Sequence, residues 1–308
     1  MEIVVETENL TKVYEGKIVA VDNANIKIPK GTIVGLIGHN GAGKTTLISM
    51  LTGLILPTKG TGRVLGYDII RESLQIRRHI GLLPEGFGFY DSLTARQNLE
   101  YIAELNGIKG KEAEKRIDEV LKIVGLENQK EQKVKAFSRG MKQRLGIAQA
   151  LLKDPEILIL DEPTVGIDPE GAIGFRMLMQ RLAKEGRTII LSTHLLHELG
   201  DICNYVIIMR QGKILAQGFV SDLQKEYEAK KGYVYIIKVR NGLDELIDKL
   251  REIGKIAVKE NIVTVRSRED IIEDLNKVLK SLEKVVVEEF KTVKPTLENL
   301  FIYYYYGR

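Results

Sequence analysis

The chain has 308 residues, 44% hydrophobic and 29% charged, with a formal net charge of +4. That length suits one large or two ordinary globular domains, and the composition excludes a disordered chain. The single cysteine, Cys203, excludes an intramolecular disulfide and a cysteine-based zinc site, and so small a charge excess makes no case for nucleic acid. Apolar runs such as "IVGLIG" and "ILIL" fall far short of the ~20 residues that cross a bilayer. The start "MEIVVETENL" has no basic segment leading into an apolar one, so no signal peptide is expected and a cytosolic setting is.

In chain order, "IVVETENL" and "KIVAVDNANIKI" predict short strands with "YEGK" turning between them. "TIVGLIG" (32–38) predicts a buried parallel strand, and "KTTLISMLTGL" a helix carrying Leu47, Met50, Leu51 and Leu54 on one side. "GRVLGYDI" predicts another short strand. Helical spacing then dominates from Asp91 to about Lys135, with Leu99, Ile102, Ala103 and Leu105 on one face, then Ile117, Val120, Leu121 and Val124. "EILILD" (156–161) and "RTIILST" (187–193) predict two more buried strands, and "YVIIMRQGKILAQG" (205–218) a hairpin turning at Gln211-Gly212. Strands separated by helices imply a parallel α/β core.

The texture changes after Gly218. "SDLQKEYEAKKG" is polar and predicts a linking helix or a linker. From Tyr233 the pattern restarts as strand, helix (Leu243 to Ile253), hairpin turning at Glu260-Asn261, helix (Ile271 to Leu282) and a last strand "KVVVEEF". The order β-α-β-β-α-β predicts a small second domain.

"GHNGAGKTT" comprises Gly38, His39, Asn40, Gly41, Ala42, Gly43, Lys44, Thr45 and Thr46, and it fits G-x-x-x-x-G-K-[ST] between an apolar strand and a helix. The glycines let backbone N–H groups face phosphates without a β-carbon in the way, and the helix start adds a positive end. Lys44 would reach the β- and γ-phosphates, and the Thr45 hydroxyl would hold Mg²⁺. A nucleoside triphosphate is therefore expected. His39 is expected to bind through its backbone rather than to catalyse. In "ILILDEPT", Asp161 and Glu162 close a buried strand, at the edge of a parallel sheet where ligands sit. Asp161 suits Mg²⁺. Glu162, aimed to the other side by strand alternation, suits the activation of a water.

With these motifs in view, the chain resembles the ATP-binding subunits of ABC transporters. "LLPEGFGFY" sits at the family's Q-loop, "FSRGMKQRL" at its signature, "ILILDEPT" at Walker B, "VGIDP" at the D-loop and "LSTH" at the switch-histidine strand. The likeness covers about residues 2–220. It implies a P-loop NTPase domain (1–220) of α/β class, with an N-terminal antiparallel β subdomain and a helical subdomain at about 91–150. A linker (221–232) and a small α+β accessory domain (233–308) follow.

By the same resemblance, Tyr14 would stack on adenine, Glu85 would contribute to the metal and nucleotide site, and His194 would contact the γ-phosphate and hold Glu162 in place. Ser138 and Gly140 would cap the nucleotide of a partner, and Asp168 would pair across the interface. Two motifs depart from the family pattern. Glu85 stands where Gln is more common, and Arg139 and Met141 interrupt the usual signature, so Arg139 either adds to the anion site or faces solvent.

The expected assembly is a head-to-tail dimer with a second copy or a homologous ATPase subunit, sandwiching two ATP molecules with Mg²⁺. It would work beside an integral membrane permease at the cytoplasmic face of the membrane, with no nucleic acid. The ending "KPTLENLFIYYYY" resembles that of export-type members, and its tyrosines are expected to pack on their own domain or on a dimer mate more readily than at a lipid interface. The competing reading is a soluble ABC-type ATPase acting on ribosomes or DNA. A single P-loop, the absence of a long coiled-coil insertion between the motifs, and the lone cysteine all weigh against it. A P-loop kinase or GTPase would leave "FSRGMKQRL" and the histidine strand without a role.

Overall fold

The computed structural model describes residues 1–15, 17–164, 168–199, 202–282 and 284–307. Its contacts divide the chain into two units, Met1–Phe219 and Val220–Arg308.

The first unit is built on a six-stranded sheet. Its order is Lys213–Phe219, Tyr205–Arg210, Ile33–Ile37, Thr188–Thr193, Ile157–Asp161 and Ile80–Leu83. Every pairing is parallel except that of the two strands of the 205–219 hairpin. Ile33–Ile37, Ile157–Asp161 and Thr188–Thr193 are buried along their whole length. That accounts for their unbroken apolar sequences, since a parallel strand covered on both faces has no side to give to water. Each buried Ile, Leu or Val contributes about 1.5–3 kcal/mol relative to exposure.

A second, antiparallel sheet pairs the long strand Ile3–Tyr14 with Ile18–Ala24, Lys27–Pro29 and Lys59–Val64, with Tyr67–Asp68 at its edge. "GRVLGYDI", expected as one strand, is a tight hairpin. Leu65 (φ 53°) and Gly66 (φ 83°) are both left-handed, the pair of conformations that a two-residue primed turn requires.

The helical region holds Ala95–Leu105, Gly110–Ile123 and Arg139–Leu151. Thr94 opens the first with a reciprocal capping box to Gln97. Leu99, Ala103, Ile117, Val120 and Leu121 are buried, as the periodicity predicts. Leu105 is not on that face and is 67% exposed, because it lies about 200° around the helix from Ala103.

Several elements go beyond the sequence expectations, among them a strand and a long helix of this unit. Strand Ile80–Leu83 is too short to show a period. It adds to the parallel sheet because Gly81 admits helix Arg139–Leu151, where a β-carbon would stand 2.2 Å from the Ala150 carbonyl oxygen. Helix Pro169–Lys184 buries Phe175, Leu178, Met179 and Leu182, a helical spacing interrupted near its start by Gly171 and Gly174.

The second unit contains the expected β-α-β-β-α-β series as a four-stranded antiparallel sheet. Its order is Lys255–Lys259, Ile262–Ser267, Tyr233–Asn241 and Val286–Thr292. Helices Leu243–Leu250 and Ile272–Ser281 supply Leu246, Leu250 and Leu275 to a core with Tyr235, Ile237, Val239, Val263 and Val265. The Tyr235 hydroxyl donates to Asp270 at 2.6 Å and accepts from the Ile271 N–H at 3.1 Å, so the buried ring carries no unsatisfied polar atom.

The segment expected as a linking helix or linker is the helix Val220–Lys231, and the tail expected to pack somewhere is the helix Leu297–Tyr306. The two pack on each other within this unit. Tyr303 meets Tyr227 edge-on at 5.3 Å, and the Tyr304 hydroxyl donates to Glu226 at 2.8 Å.

Candidate active site

The loop 38–43 leaves strand Ile33–Ile37 and enters helix Lys44–Leu51. Gly41 (φ 77°) and Gly43 (φ 104°) occupy the left-handed region. Gly43 is also forced by space, since a β-carbon there would lie 2.2 Å from the Ala20 carbonyl oxygen. Gly38 is likewise crowded, 2.6 Å from the Met209 carbonyl oxygen. Strands Ile18–Ala24 and Tyr205–Arg210 therefore clamp the loop from outside. The Gly212 N–H donates to the Ala42 carbonyl at 2.9 Å, and the Gly38 N–H to that of Thr193 at 3.4 Å. His39, Asn40 and Gly41 form the exposed crest of the loop, with Thr46 partly buried behind them.

Lys44 is 6% exposed. Its Nζ donates to the Gly38 carbonyl oxygen at 2.8 Å and stands 3.3 Å from Glu162 Oε1. Glu162, also 6% exposed, places its other oxygen 2.9 Å from His194 Nδ1. Lysine, glutamate and histidine thus form one continuous group drawn from the ends of three strands of one sheet. Beside it, the Thr45 hydroxyl donates to Asp161 Oδ2 at 2.8 Å.

The two carboxylates diverge for a reason other than strand alternation. The strand ends at Asp161, and Glu162 turns off it in the left-handed region, with φ 50°. A non-glycine residue held there costs on the order of 1–3 kcal/mol, and such positions cluster at functional sites.

Among the described residues, no group of three or more His, Cys, Asp or Glu side chains converges on a metal position. Thr45 and Asp161 instead offer one hydroxyl and one carboxylate. That sparse, hard-oxygen set suits Mg²⁺, which is held by one or two carboxylates together with phosphates and water.

The remaining expected site residues lie apart from this group. Glu85 is exposed in the turn that follows strand Ile80–Leu83. Tyr14 ends strand Ile3–Tyr14, in the hairpin whose other strand supplies Ala20, and Lys12 Nζ lies 5.2 Å from the Tyr14 ring centroid. Ser138 caps helix Arg139–Leu151, its Oγ accepting from the Met141 N–H at 3.2 Å. A β-carbon on Gly140 would meet open space, and Arg139 is exposed. Asp168 is exposed and precedes helix Pro169–Lys184 without capping it through its side chain. Val165, Gly166 and Ile167 of the expected D-loop lie outside the described residues. Cys203 is buried, and burial pushes its thiol up to about 12, which removes the thiolate that any cysteine chemistry would need.

One participant escapes the motif reading. Ser192 is fully buried, donates its hydroxyl to Asp161 Oδ1, and accepts from the Glu162 N–H at 3.3 Å. It bridges both carboxylate residues. The available signal was a hydroxyl inside an otherwise apolar buried strand. Ser192→Ala is expected to lower ATP turnover about tenfold and to lower Tm by a few degrees, from the loss of two buried hydrogen bonds of ~1 kcal/mol each. Steady-state hydrolysis measured beside thermal melting checks this, and an unchanged rate would remove Ser192 from the site.

Comparison with known proteins identifies the family. A sequence model of the family described as "ABC transporter" matches residues 21–165. The bacitracin transport ATP-binding protein BcrA of Bacillus licheniformis is 48% identical over 218 residues, 70% of each chain. The ABC transporter ATP-binding protein YhcH of Bacillus subtilis is 34% identical over 305 residues, covering 98% of this chain and 96% of that one. Among solved structures, the dimeric ATP-binding cassette MJ0796 in a post-hydrolysis state bound to ADP and Pi superposes with a TM-score of 0.63 at 29% identity, over 70% of this chain and 98% of that one. The chain belongs to the ABC transporter ATP-binding proteins, and it is an ATPase.

Proposed function

We propose that the chain powers export through a membrane permease, as one half of a head-to-tail pair that hydrolyses MgATP at two shared sites. The observation that carries the catalytic part is the Lys44–Glu162–His194 group, with Lys44 and Glu162 buried, beside Thr45 and Asp161. In this reading, backbone N–H groups of residues 38–46 cradle the phosphates and Lys44 neutralises the β- and γ-oxygens. Thr45 and Asp161, with Glu85 at the adjacent strand end, hold Mg²⁺, and the ion offsets phosphate charge. Tyr14 covers the adenine.

Glu162 accepts a proton from the attacking water as its oxygen bonds to the γ-phosphorus. The bond to the β–γ bridging oxygen breaks, giving ADP and phosphate. His194 keeps Glu162 oriented through Nδ1, which leaves its other ring nitrogen for the γ-phosphate.

The pairing is supported by what Ser138, Gly140 and Asp168 lack. They are accessible, and among the described residues none hydrogen-bonds or ion-pairs with the Lys44 group of its own chain. A second copy, or a homologous ATPase subunit, would present Ser138 and the Gly140 N–H to the γ-phosphate and Asp168 to the interface. Export is supported by the "PTLENLF" ending and by the likeness to a protein named for bacitracin transport. A peripheral position at the cytoplasmic face goes with this reading. No helix among the described residues is long and apolar enough to cross a membrane.

Ser138→Arg tests the shared site. Hydrolysis is expected to fall at least ~100-fold, as for loss of a transition-state donor, while ATP binding to the monomer stays within about twofold. Hydrolysis at the original rate would overturn the pairing, and equal loss of binding would place Ser138 in its own chain's site.

A further inference from the structure

A cavity lies wholly within the Val220–Arg308 unit, and no residue of the 38–46 loop lines it. Its volume is about 1000 Å³. Six cations line it: Lys231, Arg251, Lys255, Arg266, Arg268 and Lys294. Only two carboxylates accompany them, Glu228 and Glu252. Residues 225–308 as a whole carry 17 Lys and Arg against 15 Asp and Glu, so the positive excess of this region is concentrated here.

The convergence is built into the backbone. The cations come from the end of helix Val220–Lys231, the turn after helix Leu243–Leu250, the end of strand Ile262–Ser267, and the segment before helix Leu297–Tyr306. Two glycines hold the first three segments together. A β-carbon on Gly232 would lie 2.5 Å from the Ser267 carbonyl oxygen, and one on Gly254 would lie 2.9 Å from that of Arg266. Any side chain there would push Lys231, or Arg251 and Lys255, away from Arg266 and Arg268.

Arg251 pairs with Asp248 at 3.7 Å and Lys231 Nζ lies 5.5 Å from the Tyr303 ring centroid. The other four cations have no ion-pair partner: among the described residues, no carboxylate lies within 4.0 Å of Lys255, Arg266, Arg268 or Lys294. Burial pushes the Glu228 carboxyl up, against the opposing pull of nearby Lys294. Like charges gathered at this density repel unless an anion joins them. Tyr227 and Tyr233 line the same cavity and offer apolar ring surface between the cations.

We propose that this cavity binds a phosphate-bearing anion. Arginine forks match phosphate oxygens two at a time, and lysines add point charge. The volume is that of a small-molecule site. The site is separate from the P-loop and does not depend on the hydrolytic mechanism.

The test uses the full chain carrying Lys44→Ala, which silences the P-loop, with inorganic pyrophosphate as the probe in titration calorimetry. One saturable site is expected, weakening as salt is raised. Arg266→Gln with Arg268→Gln should lower the affinity at least tenfold. Lys294→Gln, on a separate segment, should lower it severalfold, and Lys280→Gln, outside the cavity, should leave it unchanged. Melting temperatures show whether each variant is folded. Co-sedimentation with phosphatidylglycerol vesicles separates the sources. Pyrophosphate binding points to a free phosphate compound, and vesicle binding lost in the same variants points to a lipid headgroup. Either result supports the site. Failure to bind both probes, or binding that the arginine and Lys294 variants leave intact, overturns it.

Discussion

Glu162→Gln is expected to reduce ATP turnover by about 10²–10⁴-fold, the span for loss of a general base, and to leave the chain dimeric in MgATP. Glutamine keeps the shape of the side chain and an oxygen for His194, so the loss isolates proton acceptance. The closed pair should then persist, because hydrolysis is what releases it. Size-exclusion chromatography with and without MgATP, beside phosphate release, reads both effects. Wild-type turnover in this variant would remove Glu162 as the base, and a monomer at saturating MgATP would sink the shared-site reading.

Lys44→Ala is expected to remove ATP binding at concentrations that saturate the parent chain, and hydrolysis with it. Losing one charge-assisted contact to the transferred group costs about 3–4 kcal/mol, on the order of 10²–10³ in rate. The folded state is also affected. Lys44 and Glu162 are both 6% exposed, and removing one partner of a buried ion pair typically costs about 3–5 kcal/mol. His194 still engages Glu162, so the penalty here should fall below that range and appear as a lowered Tm in a folded protein. Nucleotide binding by calorimetry, with a melting curve on the same sample, distinguishes loss of the site from loss of the fold. Retained wild-type hydrolysis would overturn the role of this loop.

The legible part of the site is local in sequence. Gly38 to Thr46 read as a phosphate loop because glycine conformations and a helix start are decided within nine neighbouring residues. Asp161 and Glu162 could be assigned from their place after a buried strand, and His194 likewise. The direction in which Glu162 points could not. Alternation predicted only a side chain diverging from Asp161, and it is the left-handed turn at Glu162 that accompanies the meeting of its carboxylate with Lys44 and His194. Ser192 was missed because a hydroxyl in a strand has no meaning until the neighbouring strand shows what it faces. Strand Ile80–Leu83 was missed because four residues carry no period.

The sequence by itself determined the family, the nucleotide chemistry, and the β-α-β-β-α-β order of the second unit, since short motifs and hydrophobic periods encode backbone conformation directly. Only the tertiary structure decided three further points. It joined Lys44, Glu162 and His194 into one contiguous group, through parallel pairing of strands far apart in the chain. It made the 220–231 segment a packed helix rather than a spacer, through contacts with a C-terminal helix that local pattern does not announce. And it gathered six cations of a nearly neutral region into one cavity, because glycines at 232 and 254 let three chain segments approach more closely than any side chain would allow.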